Sequence, residues 1–168
     1  HQVMEELPGG EILVTQADGS SKALDIHRMH TLVTDACSGL EDTDPTAIIE
    51  DTVRNLYDGV TPNDVSTALV MTARTMIELD PNYTYVTARL LMDEVRCSAL
   101  NMLGVTEQAT QQEMEQYYPK TLPIYLKKAV ELELVSPELL TFDLDKLSAA
   151  IVADRDNQFT YLGLQTLF

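Results

Sequence analysis

The chain has 168 residues, 45% of them hydrophobic, with a formal charge of −16 from 11 basic and 27 acidic side chains. A domain of this size hides about 70% of its unfolded surface, so its core needs no disulfide or metal staples, and its apolar content excludes disorder. The acidic balance argues against nucleic acid and anionic membrane surfaces, because phosphate affinity rests on clustered Lys and Arg. Screening over about 8 Å still lets a local pocket hold a small anion. Trp is absent and Gly is scarce, which favours helices over an all-β sandwich. Cys37 and Cys97 form no C-x-x-C and read as buried thiols. No apolar run approaches the ~20 residues of a membrane span. The opening "HQVMEELPGG" is polar and acidic, unlike a secretion signal. A cytoplasmic location is expected. The chain begins without Met and stops inside the apolar "LGLQTLF", so a fragment of a longer protein is expected.

Residues 1–10 read as linker or disordered chain. In "VTQADGSSKALD", Val14 to Asp25, two short alternating runs flank Asp18-Gly19 and predict a β-hairpin closing onto a helix. Ile26, Met29, Val33, Ala36 and Leu40 then repeat at helical spacing. Four later helix starts share one device, a capping side chain before a proline: Asp44-Pro45, Thr61-Pro62, Asp80-Pro81 and Ser136-Pro137. The cap oxygen accepts an orphan amide, and proline at the first helical position loses no hydrogen bond. Helices are predicted from about 45, 62, 81 and 137. "YDGV" before the second of these predicts a third short strand. Val65, Ala68, Leu69, Thr72, Ala73 and Met76 make one apolar face. Tyr85, Ala88, Met92, Val95, Ala99 and Met102 make another. One-sided stripes must pack on one another, so a helical bundle follows. Gly104 is a predicted helix stop. Beyond it, "TEQATQQEMEQYY" and "LPIYLKKAVELELV" read as two helices, and "SPELLTF" and "FDLDKLSAAIV" continue the pattern. The fold class is mainly α: a small helical bundle capped by a hairpin or three-stranded sheet, followed by further helices.

Several groups invite a chemical reading and fail it. His27 and His30 lie three apart near Asp25, but no third ligand has zinc spacing, so surface histidines beside a cap are expected. "DRD" at 154–156 reads as a helix-end salt-bridge set rather than a catalytic cluster. The tyrosines at 83, 85, 117, 118, 125 and 161 have no spacing that suggests a radical relay. Glu107, Glu113 and Glu115 read as a solvated face. There is no phosphate-binding glycine loop and no Ser/His/Asp arrangement.

"ILVTQADGSSKALDIHRMHTLV", "LYDGVTPNDV" and "YTYVTARLLMDEVR" together resemble the ATP-cone, a regulatory domain of ribonucleotide reductases. The tail "VADRDNQFTYLGLQTLF" resembles the start of the large (alpha) subunit body of a class I reductase. The resemblance implies an ATP-cone-like domain over 11–103 and the truncated start of the large-subunit helical region over 104–168. It implies a place in ribonucleoside-diphosphate reduction, where a ribose 2′-hydroxyl is replaced by hydrogen. The radical-site cysteines of that family lie beyond residue 168, so the fragment itself carries no catalytic residue and no metal.

The resemblance also implies where a nucleotide would sit. Val14, Thr15, Gln16, Asp25, Arg28 and Pro62 would line it, and ATP or dATP would be the allosteric ligand. A working cone presents a Lys-Arg pair before the hairpin Asp-Gly; here Gln16 and Ala17 stand there. Arg28 keeps a cation early in the first helix. The His and Lys of the last cone helix are replaced by Glu94 and Cys97, and Ser66 stands where a His can occur. Glu94 would repel a triphosphate. The expected role is a degenerate cone acting as a structural or interaction module; the alternative is a functional ATP/dATP switch. Expected partners are the rest of the large subunit, another cone, a second large subunit or the radical-generating small subunit.

Overall fold

The computed structural model describes residues 12–105 and 109–167. The linker expected over 1–10, and Glu107, lie outside them. β1 (Leu13–Thr15) pairs antiparallel with β2 (Ser21–Ala23), matching Leu13 to Ala23, Val14 to Lys22 and Thr15 to Ser21. The turn closes because Gly19 takes φ +80° and the Asp18 carboxylate accepts from the Ser20 amide and hydroxyl at 2.9 and 2.6 Å. The third strand reduces to a single parallel bridge from Val60 to Val14. Gly59, at φ +93°, turns the chain just before it, and Thr61 caps a helix just after it, so one extended residue is all that fits.

α1 (Ile26–Cys37) is capped by Asp25 and buries Met29, Val33, Ala36 and Cys37. Ile26 stays 38% exposed, and Leu40 falls beyond the helix end. α2 (Pro45–Asn55) starts where its Asp-Pro signal places it, and buries Ile48, Ile49 and Thr52. α3 (Pro62–Thr75) starts with a full capping box. Thr61 Oγ1 accepts from the Asp64 amide at 3.2 Å, and the Asp64 carboxylate accepts from the Thr61 amide at 2.9 Å. Thr61→Ala is expected to lower stability by about 1 kcal/mol, read in urea unfolding; Thr61→Ser should restore most of it. A short 3-10 turn, Met76–Glu78, follows.

α4 (Tyr83–Met102) begins two residues later than predicted. Asp80 spends its carboxylate on the Asn82 amide at 2.7 Å, so Pro81-Asn82 forms a turn ahead of the helix. Its buried residues also differ from the predicted stripe. Tyr83, Val86, Thr87, Ala88, Leu90 and Leu91 are buried, while Met102 is 41% exposed. The first turns are covered on more than one side, so helical period alone picks the wrong line. Gly104, at φ +78°, ends the helix as expected.

Beyond Gly104 the two predicted helices are one. α5 (Met114–Glu131) runs through Pro119 and Pro123. Each proline removes one helical hydrogen bond. The helix continues because Met114, Thr121 and Ala129, spaced seven and eight apart, bury one side of it, and α6 (Leu144–Ala149) packs against it. The Ser136-Pro137 signal starts a five-residue 3-10 turn, Pro137–Thr141, rather than an α-helix. A further 3-10 turn, Ala153–Gln158, precedes α7 (Tyr161–Leu167).

The chain divides into two compact units. One runs to Leu91 and takes in the chain from Thr160 onward; the other is Met92–Phe159. In the first, α2 packs on α1 and α3, and Val33, Ile48, Val60, Ala73 and Val86 are at most 1% exposed. In the second, Leu100, Ala109, Met114 and Ala153 form the core, with Val105, Tyr117 and Tyr118 against it. Among the described residues no helix is long and apolar enough to cross a membrane.

Candidate functional site

The hairpin cap gathers some of the expected site residues. Val14 is buried, and Thr15 and Gln16 are half-buried. The Thr15 amide donates to Val60 O at 2.8 Å, and the Gly59 amide to Leu13 O at 2.8 Å. Through Thr61 this places Pro62, the exposed first residue of α3, beside β1. Asp25 and Arg28 sit at the other end of the hairpin, where the Leu24 amide bonds Ile12 O. Four residues of strand, about 13 Å, separate that end from Gln16.

Carboxylates already occupy the amides around this cap. Asp58 accepts from the Leu13 amide at 3.0 Å. Asp25 accepts from Arg28 at 2.8 Å, Asp64 from Thr61 at 2.9 Å and Asp18 from Ser20. The bonds from Ser20 and Thr61 hold the Asp18 and Asp64 carboxyls below the usual carboxylate range. The nearby cations are Lys22, which lies opposite Val14 in the sheet, and Arg28; both are exposed. Lys22 was not among the expected residues, and its signal is the hairpin register. Glu94 and Cys97 lie half-buried on α4, within the second unit.

The sequence motifs turn out to be structural brackets. In "YDG", Asp58 holds β1 while Gly59 makes the turn into Val60. In "YTYVTARL", the Tyr83 hydroxyl oxygen accepts from the Asp44 amide at 2.9 Å. Arg89 donates to Ala36 O and Ser38 O at 2.9 and 2.8 Å. It therefore satisfies the carbonyl end of α1, where a cation is favoured. Burial pushes its pKa down, and burial pushes that of the nearby Cys37 thiol up. Cys37 is buried and Cys97 half-buried, and neither is in a disulfide.

"DRD" is also a bracket, though not the expected ion-pair set. Between described residues the ion pairs are Arg54–Asp51 and Arg96–Asp93. Asp156 instead accepts from the Tyr118 hydroxyl at 2.6 Å and from Gln111 Nε2 at 3.2 Å. Gln111 also donates to Ala153 O at 2.8 Å, and its Oε1 accepts from Arg96 at 2.5 Å. Arg96 is 7% exposed and completes the chain with Asp93 at 3.2 Å. Glu113 is exposed, as expected, and accepts from the Thr110 amide at 2.8 Å. Burial and the Asp156 carboxylate push the Tyr118 pKa well above 10. The phenol stays neutral in the folded chain while its unfolded counterpart ionises, so stability should fall as pH rises above 10. The slope is at most about 1.4 kcal/mol per pH unit. Tyr118→Phe should remove that part of the alkaline slope in urea titrations at pH 9 to 11.

Relatives share this stretch along nearly all of its length. The Chlamydia muridarum ribonucleoside-diphosphate reductase subunit alpha is 34% identical over 99% of this chain and 16% of its own. This chain is homologous to the amino-terminal region of the ribonucleoside-diphosphate reductase large subunit. The Danio rerio large subunit is 25% identical over 92% of the chain and 19% of its own length. The reductase subunit alpha of Enterobacteria phage T4 is 28% identical over 93% and 19%. The chain thus spans under a fifth of the reductase subunits it matches. No protein-family model matches it.

Proposed function

We propose that this chain is the amino-terminal, non-catalytic part of a ribonucleoside-diphosphate reductase large subunit: an ATP-cone that has lost its phosphate grip. It serves as a structural and interaction module for the rest of that subunit. One observation carries the reading: four amides of the hairpin and helix starts, those of Ser20, Arg28, Leu13 and Thr61, already donate to Asp18, Asp25, Asp58 and Asp64. A phosphate must displace a like-charged group to reach them. The side-chain donors are depleted too, with Gln16 and Ala17 in place of a cation pair. A hydrogen bond to a charged group contributes roughly 1.5–3 kcal/mol, so the pair alone accounts for about 3–6. Micromolar affinity is about 8 kcal/mol in all.

Lys22 and Arg28 favour the second reading, an ATP/dATP switch, because both reach solvent and neither is ion-paired with a described residue. Thermal unfolding in 1 mM dATP separates the two. A micromolar site would add about 4 kcal/mol by mass action, a rise of about 8 °C or more at this size. The degenerate cone predicts a shift below about 1 °C.

A further inference from the structure

The chain leaves the second unit after Phe159 and rejoins the first at Thr160. Tyr161 is 4% exposed and Leu164 6%. The Tyr161 amide donates to Thr84 Oγ1 on α4 at 3.3 Å. The Arg74 guanidinium of α3 lies over the Tyr161 ring, 5.6 Å from its centroid. The other residues of α7 face away, with Leu162 71% exposed and Leu167 74%. A helix of seven residues does not hold itself together in water. Its order has to come from the contacts of Tyr161 and Leu164.

We propose that Tyr161 is a latch that couples the returning chain to α3 and α4. Its ring packs under Arg74 and its amide is fixed by Thr84, so a change in either helix is passed to α7. Unlatching α7 in turn loosens the start of α4 and the end of α3. The role fits a segment that returns to the first unit through a 3-10 turn anchored by Asp156. Nothing in it depends on whether a nucleotide binds.

Amide hydrogen exchange on the whole 168-residue chain tests this. In Tyr161→Ala, amides from Leu164 onward should exchange at least tenfold faster, with a smaller rise near Arg74 and Thr84. Tyr161→Phe should stay within twofold of the parent, because the ring and amide do the docking. Arg74→Ala and Thr84→Val alter the dock from the helix side, outside the buried core. Each should speed α7 exchange threefold or more while α1 and α2 keep their protection. Leu162→Ala, on the outward face, should change nothing. The latch is wrong if α7 exchange stays within twofold in Tyr161→Ala, Arg74→Ala and Thr84→Val alike. It is equally wrong if these variants loosen α1 to α6 as much as α7, since that is general destabilisation.

Discussion

Replacing Gln16 with Lys and Ala17 with Arg is expected to raise affinity for dATP by about a hundredfold or more. Gln16 is half-buried beside β1, and Ala17 is exposed in the turn. Cations there would join Lys22 on β2, while Arg28 of α1 lies at the far end of the hairpin. Two restored charge-assisted hydrogen bonds are together worth about 3–6 kcal/mol, and each 1.4 kcal/mol is tenfold in affinity. Exposure and salt screening push the gain toward the lower end. The gain should also shrink steeply between about 50 and 300 mM salt, since it is electrostatic. Calorimetry on the folded double variant reads both effects. An affinity within threefold of the parent would mean that the carboxylates on the cap amides, and not the missing cations, set the limit.

The second large effect is expected in the other unit. Arg96→Ala should cost about 3 kcal/mol, because it removes a buried guanidinium and leaves a part-buried carboxylate and a part-buried amide oxygen without that donor. Arg96 is 7% exposed, Asp93's side chain 13%, and Gln111 Oε1 depends on the same guanidinium. By comparison, the exposed Arg54–Asp51 pair, 72% and 46% exposed, should be worth well under 1 kcal/mol. Urea unfolding of Arg96→Ala and Arg54→Ala, followed by a probe in α5, gives the contrast. Equal and small losses would show that the Arg96 chain of hydrogen bonds does not hold the second unit.

Local rules made much of the first unit legible. Asp18-Gly19 gave the hairpin, and Asp44-Pro45 and Thr61-Pro62 gave two helix starts to the residue. The same dipeptide signal was misleading at Asp80-Pro81 and Ser136-Pro137. There the cap oxygen serves the residue just after the proline, whereas Asp44 also accepts from Ala47 and Thr61 accepts from Asp64, one residue further into the helix. Pro119 and Pro123 looked like a break because proline is unfavourable inside a helix; tertiary burial of Met114, Thr121 and Ala129 outweighs that. The Arg96–Gln111–Asp156–Tyr118 network left no trace in the sequence. Its members are single polar residues on separate elements, with no period and no spacing to detect. That Gln16 and Ala17 stand where the resemblance implies cations was readable in the sequence. The carboxylates that fill the cap's amides were not, because Asp58 and Leu13 are 45 residues apart in the chain.

The most direct measurement is a calorimetric titration of the unmodified chain with dATP at moderate salt. A cone without its phosphate grip shows no saturable binding below about 1 mM, a limit worth about 4 kcal/mol. A single site with a Kd near 10 µM or tighter would contradict it.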